Sequence, residues 1–219
     1  MPEIRPGVDL YANGPGGSWA SQRDHAGSAY DSNNQRDAYT VINDSGGKGA
    51  FIRRAMFIYD TSSITDTLSS ASIDVHGYGT NSLDVILVRA EFVGSIGAGW
   101  FNDLKGTDAG TALGNSDGSG AGTLASAGID YSAEVTTWTT SGVNQIALNS
   151  DALANIVADN WLQVIMMGYD YDYLDIEPSG TFTIGNWWDE YGGGTSPTLN
   201  YTVATAAVTD NSVFFGCNF

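Results

Sequence analysis

The sequence predicts an all-β protein, an antiparallel β-sandwich with one short helix in a single domain. Three observations point there. Apolar and polar residues alternate in many short runs, the patterning of half-buried strands. Those runs are bounded by Gly, Ser, Asn and Asp, and 28 glycines in 219 residues supply the turns. Helical periodicity is confined to residues 150–158. A chain of this length buries roughly 70% of its unfolded surface, enough for one core without staples.

The elements follow in order. Residues 1–50 are polar and Gly-rich, with strand candidates at 7–11 and 38–42. Residues 51–59 alternate less cleanly and read as a strand buried on both faces. Residues 72–78 set Ile73, Val75 and Gly77 against Ser72, Asp74 and His76, a clear period of two. Residues 84–93 form a Val- and Ile-rich strand. Residues 105–128 are low in complexity and read as a long surface loop or lid. Strands are expected at 135–139 and 145–148. Ser150 then caps a helix over 150–158, with Leu153, Ile156 and Val157 on one apolar face. The near-continuous apolar run 161–167 reads as a central strand. Strands at 181–184 and 198–203 complete the domain, which spans residues 1–203. Residues 204–219 form a C-terminal tail. Its aromatic end, Val213, Phe214, Phe215 and Phe219, reads either as an arm that docks into a neighbouring subunit or as a last edge strand.

Charge limits the partners. Lys and Arg total 8 against 25 acids, a formal net charge of −17. That repels phosphate backbones and anionic membranes, so neither nucleic acid nor membrane is expected. The acidity serves solubility, or it binds cations or docks a basic surface. Cys217 stands alone, so an intrachain disulfide is excluded, and with two His so is a zinc cluster. The N-terminal residues lack an apolar h-region, so no secretory signal is expected. No apolar run reaches the roughly 18 residues of a membrane span.

Three motifs carry possible chemistry. Residues 114–118 match G-x-S-x-G around Ser116, but a nucleophile elbow needs a strand entering and a helix leaving. Here loop surrounds it, with only His25 and His76 as bases, so no catalytic site is expected. The run 170–177 holds Asp170, Asp172, Asp175 and Glu177. It reads as a calcium site, since calcium takes six to eight oxygen ligands, or as a solvated acidic loop. Tyr171 and Tyr173 alternate with the acids and offer a glycan-stacking or docking face. Trp187 and Trp188, beside Asp189 and Glu190, form the strongest aromatic patch. They suit sugar stacking, although strand alternation sends at least one toward the core.

A further pattern spans residues 7 to 203. A strand bearing Arg54 and Phe57 leads to Asp60 and a Ser62-Ser63-Ile64 corner. Ala71-Ser72-Ile73 opens the next strand, and Trp100 lies mid-domain. Val135-Thr136-Thr137-Trp138 precedes Ser141-Gly142 and Ile146-Ala147-Leu148, and Pro197-Thr198-Leu199 opens the last strand. In this order the elements resemble the DNRLRE-type family, a β-sandwich related to carbohydrate-binding modules. The family's Ser-x-Glu element before the closing strand is replaced here by residues 185–190. The resemblance implies a jelly-roll-like sandwich that binds glycans or calcium, and related domains stand alone in the virions of tailed phages. The expectation is therefore a non-enzymatic virion protein, a capsid decoration or fibre-associated component. It would be made in the host cytoplasm and assemble symmetrically with copies of itself and other virion proteins. The alternatives are a carbohydrate-binding module and, behind it, a polysaccharide-active enzyme.

Overall fold

The computed structural model describes residues 3–4, 8–13, 29–31, 38–44, 50–78, 83–92, 104–105, 112–113, 124, 128–174, 176, 182–188 and 197–205. Their strands are β1 (Glu3–Ile4), β2 (Val8–Asn13), β3 (Ala29–Asp31), β4 (Ala38–Asp44), β5 (Ala50–Asp60), β6 (Leu68–Tyr78), β7 (Val85–Arg89), β8 (Leu104–Lys105), β9 (Ala112–Leu113) and β10 (Val143–Ala147). Helix α1 (Ser150–Ala158) follows, then β11 (Trp161–Gly168), a π-helical turn (Tyr169–Tyr173), β12 (Phe182–Trp188) and β13 (Thr198–Val203). The protein is all-β, with two antiparallel sheets and few helical residues.

The first sheet runs β1–β13–β6–β10. The second is organised around β5. Arg53 pairs with both Asn13 and Val41, and Ala55 with both Tyr11 and Met166. A strand has two edges, so β2 holds one along its length while β4 and β11 share the other. The sheet forks there: β11 continues to β7, and β4 to β12. The two sheets meet where β12 reaches the end of β6, at Trp187↔Tyr78 and Trp188↔Gly77. β8 and β9 form a separate short ribbon.

β5 does not alternate because both of its faces are covered. Ala55, Phe57 and Tyr59 on one face and Arg54 and Met56 on the other are all buried. β6 keeps the period of two, with Ala71, Ile73 and Val75 buried and Ser72, Asp74 and His76 partly exposed. One apolar cluster draws on both sheets, including Phe57, Ile73, Leu87, Ile146, Val164 and Leu199, and on Ala152 and Ile156 of α1.

The Asp60–Ile64 corner is held locally. Asp60 Oδ1 accepts from the Ser62 amide at 3.0 Å and from its hydroxyl at 2.6 Å. Those bonds favour the charged carboxylate and lower its pKa below 3.8. Thr61 Oγ1 donates to the Ile156 carbonyl at 2.8 Å, tying the corner to α1.

The structure differs from the expected elements in three places. The cap of α1 is Asn149, whose Oδ1 accepts from the Ala152 amide at 3.0 Å; Ser150 is the first helical residue. The expected strand over 135–139 reduces to a single bridge, Val85↔Val135. Its would-be partner is a side chain: Asn144 Oδ1 accepts from the Thr139 amide at 2.6 Å, and Nδ2 donates to the Thr139 carbonyl at 2.9 Å. The strand expected over 84–93 stops at Arg89, because its partners change there. The Arg89 amide donates to Ile129, and Ala90 bridges Leu104.

Candidate functional site

The acidic run begins where β11 ends. Gly168 is extended, and the next five residues close a π-turn whose Leu174 amide donates to the Tyr169 carbonyl at 2.9 Å. This turn, rather than the open loop expected, decides where each side chain goes. Asp172 is fully buried and meets Arg54 of β5. Arg54 Nε donates to Oδ2 and Nη2 to Oδ1, both at 2.7 Å. The planar guanidinium fork matches the carboxylate in the bidentate geometry of the strongest ion pairs. Both oxygens of this predicted calcium ligand thus face a guanidinium.

The other predicted residues distribute around that pair. Tyr173 is buried and stacks on Tyr169, with centroids 5.5 Å apart and planes 24° from parallel. Burial pushes its phenol up to about 12, with Asp130 and Tyr169 adding to the effect. Tyr171 and Asp170 are half-buried. Asp170 lies near Asp84 and Glu134. The carboxyls of Asp84 and Glu134 are raised above their usual values, first by desolvation and then by neighbouring negative charge. Among the described residues, no three His, Cys, Asp or Glu side chains converge on a metal-sized site. Asp175 and Glu177 lie outside the described residues, as do Ser116, His25, Trp100 and the tail residues Val213, Phe214, Phe215 and Phe219. Trp187 and Trp188 sit in β12 opposite Tyr39 and Ala38, and their side chains lie outside the described part.

A second location stands out on the surface, at the start of β11. There a groove of about 300 Å³ is lined by Arg89, Glu91, Tyr131, Asp159, Trp161 and Gln163. Trp161 is 47% exposed, whereas the next residue, Leu162, is 1% exposed. Local backbone explains the contrast. α1 ends at Asp159, Asn160 takes a left-handed φ of 59°, and the chain reverses into β11. Asn tolerates that conformation better than most residues. The Asn160 carbonyl accepts from the Thr61 amide at 2.9 Å, which fixes the reversal.

The groove's polar groups are only partly engaged with one another. Arg89 Nη2 and Asp159 Oδ2 are 3.7 Å apart and both partly exposed, longer than the roughly 2.7–2.9 Å of a direct charge-assisted bond. Gln163 Oε1 accepts from the Phe92 amide at 2.6 Å. The Tyr131 oxygen accepts from Asn155 Nδ2. Burial raises the Tyr131 phenol's pKa, against the Asn155 bond and the Arg89 charge, which lower it.

Sequence reasoning did not single out this groove. It treated Trp161 as the first residue of an apolar strand. The available signal was an Asp-Asn pair between the helix pattern and a Trp-initiated strand, which marks a tight reversal. No protein-family model matches the chain, and comparison with curated proteins finds no match.

Proposed function

We propose that this protein is a non-enzymatic structural component of a virus particle, a phage capsid decoration or fibre-associated protein built on a jelly-roll-like β-sandwich. The observation that carries this reading is the buried Arg54–Asp172 clasp, which ties a central strand to the turn after β11 across 118 residues. Arg54 is the landmark arginine of the DNRLRE-type resemblance, and Phe57, Ile64 and Leu199 from the same pattern are core residues. A body braced in this way presents fixed surfaces, which suits docking by shape. Residues 213–219 are the proposed docking arm for neighbours and for other copies.

The test is quantitative mass spectrometry of the native source, split into cell-free particles and soluble fraction. Many copies per particle are expected, and deletion of 213–219 should abolish particle binding. Recovery only as free protein would overturn the reading.

A second reading, a carbohydrate-binding module, is favoured by the exposed Trp161 indole in a polar groove. Trp187, Trp188 and the half-buried Tyr171 remain its sequence-derived candidates, while Tyr173 is buried against Tyr169. Calorimetric titration with calcium tests Asp170, Asp175 and Glu177 as donors, Asp172 being held by Arg54.

A further inference from the structure

The groove at Trp161 brings together an exposed aromatic face, a cation, two carboxylates and a carboxamide. Its volume of about 300 Å³ matches the lower end of small-ligand sites, about 300–1,000 Å³. Its chemistry narrows the ligand. Arg89 already stands beside Asp159, and the chain carries a net charge of −17, so phosphate and other anions are disfavoured. A wholly apolar ligand would desolvate Arg89 and Asp159 without offering them bonds. A sugar ring fits both demands. One face of a pyranose is apolar, and its hydroxyls donate and accept at once.

We infer that this groove is a neutral-carbohydrate subsite, in which a sugar ring stacks on Trp161 and its hydroxyls bond to Arg89, Asp159 and Gln163. The 3.7 Å gap between Arg89 and Asp159 suits a hydroxyl that accepts from the first and donates to the second. Oε1 of Gln163 is held by the Phe92 amide, which orients its Nε2 as a donor. The platform is pre-organised. Asp159 and Trp161 flank the left-handed Asn160, and Thr61 holds that reversal through its amide to Asn160 and its hydroxyl to Ile156. Little ordering is then left for the ligand to impose. The inference rests on the carbohydrate-binding reading and places the sugar at a site away from the sequence-derived candidates.

The experiment screens the full chain on a printed array of neutral and acidic oligosaccharides, then titrates the strongest neutral binder by calorimetry. Trp161→Ala is expected to lower affinity at least about tenfold, Trp161→Phe to retain part of it, and Val143→Ala, an exposed side chain of β10 outside the groove, to leave it unchanged; Trp188→Ala is titrated alongside as the rival site. Asp159→Ala, at a half-exposed side chain, gives a second readout, and thermal melts establish that each variant folds. A loss confined to Trp188→Ala would overturn the groove inference and leave the carbohydrate reading standing. Absence of binding to every glycan, or binding to acidic glycans alone, would overturn both.

Discussion

Asp172→Asn is the substitution that weighs most on the fold. It leaves the shape of the side chain and removes its charge, so the buried Arg54 guanidinium loses the carboxylate that holds it through two 2.7 Å bonds. Arg54 is 1% exposed and Asp172 0%, so water cannot take over the lost role. Removing one partner of such a pair costs about 3–5 kcal/mol. With an m-value of about 2–3 kcal/mol/M, the urea midpoint should fall by about 1–2.5 M. The thermal midpoint of a chain this long should fall by about 6–20 °C. Arg54→Met should cost as much, for the mirror-image reason. The double variant Arg54→Met/Asp172→Leu should recover most of the loss, because an apolar pair of similar volume removes both desolvation penalties. Tryptophan fluorescence through a urea titration reads Asp172→Asn and the four corners of the cycle formed by the parent, Arg54→Met, Asp172→Leu and the double variant. A midpoint shift below about 0.3 M for Asp172→Asn at unchanged m, or strictly additive single and double losses, would refute the reasoning.

Other expectations follow from single positions. A Cβ on Gly77 would lie 1.9 Å from the Thr139 carbonyl oxygen, a backbone atom that cannot swing away. Gly77→Ala should therefore cost at least about 1–3 kcal/mol in urea unfolding. Asn149→Ala removes the α1 cap and the bond from Asn149 Nδ2 to the Asp130 carbonyl at 2.6 Å. It should cost up to about 2 kcal/mol, read as a lowered thermal midpoint and faster amide exchange at Ala152. Asp84 and Glu134 have folded pKa values above their ordinary 3.8 and 4.5, so the folded state binds their protons more tightly than the unfolded state does. Their charge opposes folding at neutral pH. That penalty is relieved as pH falls through the raised values, fully so below the ordinary ones. Asp84→Asn/Glu134→Gln should thus be more stable than the parent at pH 7, and the difference should shrink toward pH 4. A constant difference across that range would contradict the assignment.

Local patterning made much of the fold legible, and tertiary partners made the rest invisible. The alternation in β6 and its breakdown in β5 were both readable, because each reports how many faces are covered. The helix was readable too, yet Asn149 and Ser150 are both good caps, and only backbone geometry chooses between them. The strand expected at 135–139 carried the right residues. It lost its partner to Asn144, a side chain that copies the hydrogen bonds of a neighbouring strand. The acidic run showed four carboxylates in eight residues, but no local signal pairs Asp172 with an arginine 118 positions upstream. The Trp161 groove draws on residues near 90, 131 and 160, so it exists only once three segments have packed.

Ile4 pairs with Leu199, and Ile73 pairs with both Leu199 and Ile146. The first sheet therefore stays open until the chain has been made as far as β13. During synthesis β6 emerges long before its partners β10, β12 and β13 and waits with both edges exposed. Contacts this distant in sequence put folding on the slow side, in the millisecond-to-second range of β-rich topologies. In that interval Ser69, Ser70, Ser72 and Asp74 along β6, polar and unsuited to dry strand stacking, guard the nascent edge against pairing with the wrong chain.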